Sequence, residues 1–207
     1  MKARATLLIY GDYFLTKLSR VYNTYPSQEM VKALIKIISD FCNVTIENKF
    51  LFVTNSNVHT FEYNQWKMAN VEVIIKPKPP QWNGCKKCTF YDNAELDVGM
   101  AIRFAKEVYR SKNKVSHIIT VSNKFFEDTL MLAIERNIEY IMIGDKLDVP
   151  KEMQQSSGIK ILPILKDIMN LLVPSPSTIL STYTNTPDSN HTQIYQTNGM
   201  SHFKRKK

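Results

Sequence analysis

Three aspartates in this chain stand where a strand should end or a helix should begin. They are Asp12, Asp97 and Asp128, the last beside Glu127. Convergent carboxylates at such places are what Mg²⁺ or Mn²⁺ requires. A hard dication takes oxygen ligands in near-octahedral geometry, and a bound metal can activate water. Asp12, Asp97 and Asp128 could form such a set if the fold brings them together. The competing reading is local: Asp12 belongs to a turn, and Asp97, Glu127 and Asp128 are favourable charges in first helical turns.

Two other groups carry chemistry. Cys85-x-x-Cys88 is half of a zinc site, since structural zinc takes four ligands. Cys42 with His59 or His117 could complete it, as could two chains pooling their pairs; otherwise these are two cysteines in an ordinary loop. Around them Lys76, Lys78, Trp82, Lys86 and Lys87 interleave with Phe90 and Tyr91. Aromatic stacking combined with phosphate contact is a common way of holding single-stranded RNA. The same aromatics would serve equally to pack the loop back on its domain or against a protein partner.

Regularly spaced elements must position these residues. Ala5–Gly11, Lys49–Thr54, Val71–Lys76, Val115–Ser122 and Ile138–Gly144 are short, mostly apolar runs, expected of strands covered on both faces. Ile159–Leu162 adds a short sixth. Between them Ser27–Cys42 reads as a helix, with Ser27 as N-cap and Met30, Leu34, Ile37, Ile38 and Phe41 at helical spacing. Further helices are expected at His59–Asn70, 94–111 (Leu96, Met100, Phe104 and Val108 in one stripe), Phe125–Asn137 and Leu165–Leu172. Prolines 77, 79 and 80 stop the third strand and open a long irregular loop over 77–94. Alternating strands and helices predict an α/β fold, a three-layer α/β/α sandwich on a mostly parallel sheet of five or six strands. In such sheets ligands bind outside the carboxyl ends of the strands.

Those ends carry Tyr10-Gly11-Asp12-Tyr13, then Val73-Ile74-Ile75-Lys76-Pro77, then Glu95-Leu96-Asp97-Val98-Gly99 at the next helix start. Ser122-Asn123-Lys124-Phe125-Phe126 and Ile141-Met142-Ile143-Gly144 follow. Over residues 5–145 this pattern resembles the NYN branch of the PIN-like nuclease family. The resemblance implies a PIN-like fold and an acidic cluster holding Mg²⁺ or Mn²⁺. Carried over residue by residue, Asp97 is retained, Tyr10 replaces the first-strand acid and Tyr13 the asparagine of that turn. Lys124 and Phe126 stand where two further acids are expected, and Lys124 joins Lys76, Lys78, Trp82, Lys86 and Lys87 as a candidate RNA contact. A neutral phenol is a poor Mg²⁺ ligand, and an ammonium inside the cluster would repel a dication by several kcal/mol at close range. The resemblance thus implies a degenerate nuclease domain: a non-catalytic RNA-binding or protein-interaction subunit of an RNA-processing assembly, needing no cofactor. An active Mg²⁺- or Mn²⁺-dependent endoribonuclease with Asp12, Asp97 and Asp128 as relocated catalytic acids, and a zinc-binding assembly module, are the alternatives.

The totals agree with such a role. There are 27 Lys and Arg against 19 Asp and Glu, a net charge of +8, which favours polyanionic partners such as RNA. No apolar run approaches the roughly 20 residues of a membrane span. Three cysteines (42, 85 and 88) are too few and too odd in number for a disulfide framework, so a soluble intracellular protein, nuclear or cytoplasmic, is expected. Residues 1–173 read as the domain. Residues 174–207, polar and ending in Lys204-Arg205-Lys206-Lys207, read as a disordered tail that suits nuclear import or polyanion contact. Partner proteins or a homodimer fit the same picture.

Overall fold

The described residues form six strands and six helices in this order: β1 (Ala3–Tyr10), α1 (Gly11–Tyr22), α2 (Gln28–Cys42), β2 (Val44–Thr54), α3 (Thr60–Met68), β3 (Glu72–Lys76), α4 (Ala94–Arg110), β4 (His117–Val121), α5 (Glu127–Glu135), β5 (Glu139–Ile143), β6 (Ile159–Leu162) and α6 (Leu165–Leu172). This computed structural model describes residues 2–55, 60–77, 94–110, 115–123, 127–145 and 158–173. The strands form one sheet in the order β3-β2-β1-β4-β5-β6, and each neighbouring pair is parallel. The α/β class and parallel sheet expected from the apolar runs are what the chain adopts. Met1–Val173 is one compact unit; the expected disordered tail lies outside the described residues.

Strand alternation sorts the helices into two layers. On β2, Leu51 and Val53 lie against α1 at Gly11. Their neighbour Phe50 instead lies under Arg103 of α4, the guanidinium 4.0 Å from the ring centroid. With α1 go α2, α3 and α6: Phe14 of α1 meets Trp66 of α3 edge-on at 5.9 Å, and α2 packs on α3 and α6. With α4 goes α5, and Phe104 meets Tyr140 of β5 edge-on at 5.0 Å. The core is the apolar filling of both interfaces.

Several boundaries differ from expectation for identifiable reasons. Helix α1 begins directly after β1, with no loop, where the sequence suggested only a turn. Gly11 permits this: a Cβ there would lie 2.4 Å from Val53 Cγ1 and 2.7 Å from the Phe52 carbonyl. Only the glycine lets the chain turn from strand to helix hard against β2. Strand β2 starts five residues early, because Val44–Asn48 pairs with β1 through a bulge that shifts the register between Ala5 and Thr6. The N-cap of α2 is as expected: Ser27 Oγ accepts from the Met30 N–H at 3.2 Å. Its buried stripe is Val31, Leu34 and Ile38, whereas Phe41 is 50% exposed. Residues Asn23 and Asn43 end α1 and α2 in the left-handed conformation that asparagine tolerates.

Candidate functional site

Strand order reverses direction between β1 and β4, so their carboxyl ends open the crevice in which such sheets place ligands. Tyr10 closes β1. Thr6 of the same strand reaches Glu107 of α4, so by parity Tyr10 also points into the α4 layer. It is 4% exposed. A buried phenol thus occupies the strand end at which the resemblance expects a carboxylate. Ser122, just beyond β4, is fully buried and its N–H donates to the Ile143 carbonyl at 3.1 Å.

Asp12 does not continue an extended strand, and this corrects the idea that it could stand in for the missing acid two residues along. It lies in the first turn of α1, where each residue rotates about 100°. Its carboxylate is directed at the end of β2: Oδ1 accepts the Thr54 N–H at 3.0 Å and Oδ2 the Thr54 hydroxyl at 2.9 Å. Tyr63 of α3 donates to the Thr54 carbonyl at 3.1 Å, so α1 and α3 together clasp the last residue of β2.

The end of β5 is held in the same manner. Lys17 Nζ lies 2.6 Å from Asp145 Oδ2, and the Asp145 N–H donates to the Tyr13 hydroxyl at 3.2 Å. The Lys17 ammonium also sits 5.6 Å from the centroid of the Tyr13 ring. Tyr13, the residue in the asparagine place of the family turn, therefore ties α1 to β5. Sequence reasoning missed Lys17 and Thr54 as the partners of these carboxylates. Lys17 could have been found only by recognising α1, whose Phe14 and Leu18 are one turn apart and both buried.

Asp97 lies in the first turn of α4, half-buried, with Oδ1 shielded from solvent. Asp128 is exposed on α5, and Glu127 opens that helix. Asp12, Asp97 and Asp128 do not come together as a set that could hold a metal, and no other three His, Cys, Asp or Glu side chains do so among the described residues. The donor set needed for Mg²⁺ or Mn²⁺ is thus not what these residues offer, and no hydrolytic step is derived through a metal.

Lys76 ends β3 at this same edge. Its carbonyl accepts from the Asn55 N–H at 2.6 Å, and its stem crosses Gly99 of α4, where a Cβ would lie 2.7 Å from Lys76 Cε. The ammonium lies 3.5 Å from that same point, over the second turn of α4. The other residues expected to meet RNA (Lys78, Trp82, Lys86, Lys87 and Lys124) lie outside the described residues, as do Phe126, Cys85, Cys88 and His59.

The suggested helpers of a zinc site are at the other edge of the sheet. Cys42 ends α2, and burial raises its thiol pKa, with nearby Lys160 lowering and Glu139 raising it. His117 Nε2 lies 3.0 Å from Glu139 Oε2, with Ser116 Oγ 2.8 Å from Nδ1. All belong to the amino ends of β4, β5 and β6.

No family model matches the chain, and no curated protein does. Among solved structures it is similar to a protein of unknown function from Vibrio parahaemolyticus, with a TM-score of 0.53 and 13% identity over 78% of this chain and 93% of that one. At that identity the likeness speaks for the fold alone. A structure from work on the mechanism and regulation of Sir2 enzymes aligns over 87% of this chain and 94% of that one, at 9% identity and a TM-score of 0.35, too low to support any argument. No helix among the described residues is long and apolar enough to cross a membrane.

Proposed function

We propose that this protein is a non-catalytic RNA-binding subunit: a PIN/NYN-like α/β domain whose carboxyl edge meets single-stranded RNA without cutting it. One observation carries the reading. The edge carboxylates that a nuclease would aim at a metal are turned inward to hold the chain, Asp12 on Thr54 and Asp145 on Lys17. The buried Tyr10 at the end of β1 supports it, because a phenol neutral at pH 7 offers a dication little. The net charge of +8 and the place of Lys76 at the carboxyl end of β3 support the polyanionic partner.

The decisive experiment combines cleavage with binding. Full-length protein incubated with a labelled single-stranded RNA and Mg²⁺ or Mn²⁺ should leave it intact. Fluorescence anisotropy should show salt-dependent binding that Lys76→Glu weakens about 5-fold while flattening the log-log salt slope by about one. Asp97→Asn should leave affinity within about 2-fold, because it removes no cation. Metal-dependent cleavage abolished by Asp97→Asn would overturn the proposal.

A further inference from the structure

Helix α4 is apolar on two opposite faces. Leu96, Met100, Phe104 and Val108 face the sheet and are each at most 2% exposed. Val98, Ile102, Ala105 and Tyr109, spaced four, three and four residues apart, fall at 100° per residue into a second stripe on the far side. Val98, Ile102 and Tyr109 are 56%, 50% and 54% exposed. A surface helix ordinarily turns a polar face to water, and a continuous apolar stripe there marks a contact surface. The spacing is that of a two-helix seam, with Val98 and Ala105 at one core position and Ile102 and Tyr109 at the other.

We infer that this face binds a second copy of the chain, α4 against α4, antiparallel about a two-fold axis between Ile102 and Ala105. Charge pattern selects this occupant. One flank of the stripe is acidic at its start (Glu95) and basic towards its end (Lys106, Arg110). In an antiparallel two-fold pair that flank meets itself reversed, so Glu95 of each copy lies opposite Arg110 of the other. A foreign surface of one sign would meet a like charge at one end. Arg110 is free to swing across: its side chain is 74% exposed and its contact with Glu107 is 3.9 Å long. On the opposite flank Ala101 is small enough for the two backbones to approach closely. The helix is about 25 Å long, so the pair forms a small interface and a dimer of micromolar strength. This inference does not depend on RNA binding.

Sedimentation equilibrium of the full-length chain from about 1 to 200 μM brackets that strength. A reversible monomer–dimer equilibrium is expected. Ile102→Asp should weaken it at least about 10-fold, with far-UV circular dichroism and melting temperature unchanged because the side chain is half-exposed. Glu95→Arg should weaken it about 5-fold by setting like charges opposite, and adding Arg110→Glu should restore it. A wild-type chain that stays at its monomer mass of 24.0 kDa throughout overturns the inference. So does an Ile102→Asp variant that still associates, or a charge swap that fails to restore pairing.

Discussion

Beneath α4, Glu107 is 3% exposed, with Oε2 accepting from Thr6 Oγ1 at 3.4 Å and Asn48 Nδ2 at 3.2 Å while Arg103 stands 3.8 Å from Oε1. At the carboxyl edge Asp12 and Asp145 are only part-buried, Asp12 accepting from the Thr54 N–H and hydroxyl and Asp145 paired with Lys17. The interior acid is surrounded because the β2 bulge turns Asn48 towards Thr6, and Arg103 is itself pinned between Glu72 at 2.5 Å and the Phe50 ring. The edge acids keep some access to water, and edge positions are where this architecture normally exposes reactive groups. Here both regions use carboxylates to join elements distant in sequence. What separates them is the cost of taking the acid away.

Glu107→Ala should have the largest effect. It leaves the Thr6 hydroxyl without its acceptor, Asn48 with only Thr6 Oγ1 to donate to, and Arg103 without an interior counter-charge, so a loss of about 3 kcal/mol is expected. Urea denaturation monitored by Trp66 fluorescence measures it, and Glu107→Gln should recover part of the loss. A cost near that of a surface substitution would erase the distinction between interior and edge.

The same interior holds Tyr140, fully buried against Phe104, whose hydroxyl shares a 3.0 Å hydrogen bond with Thr120. Burial raises its pKa from 10.0 to about 12, partly countered by the Thr120 bond. The phenol is therefore protonated in the folded chain over a range in which the unfolded chain has released the proton. Stability from this group is whole below pH 10 and is lost as pH rises from 10 to 12, by about 3 kcal/mol in all. Tyr140→Phe, which has no proton to lose, should show a flatter decline over that window. Equal declines in both proteins would place the phenol in contact with water.

The sequence made legible whatever rests on apolar runs: the sheet strands, the α4 stripe and the Ser27 cap. It hid what depends on close approach. Gly11 reads as a turn residue until Val53 is placed beside it, and with α1 unrecognised neither Lys17 nor Tyr13 points to β5. The bulge is likewise invisible, because Glu47 and Asn48 are polar and seem to lie before the strand rather than within it. At the candidate site, residue types drew attention to Asp97 and the resemblance to Tyr10, but neither told where carboxylates point. Asp12 could be read as a displaced ligand only while its partner Thr54, 42 residues away, was unknown.

The smallest expected effect is the one that best separates holding from catalysis. Asp12→Ala removes two hydrogen bonds from Thr54 and should cost about 1.5 kcal/mol, with Asp12→Asn in between because its amide oxygen still accepts one. Both losses should be the same in EDTA and in Mn²⁺, since the oxygens serve Thr54 in either case. A ligand binding only the folded chain at 100 times its Kd would stabilise it by about 2.7 kcal/mol, well above what a melt resolves. A wild-type melting temperature that climbs with Mn²⁺, and stops climbing in Asp12→Ala or Asp97→Asn, would mean these carboxylates leave their partners to take a metal. The edge would then be a reaction centre held shut, and its contrast with Glu107 would be one of function rather than of depth.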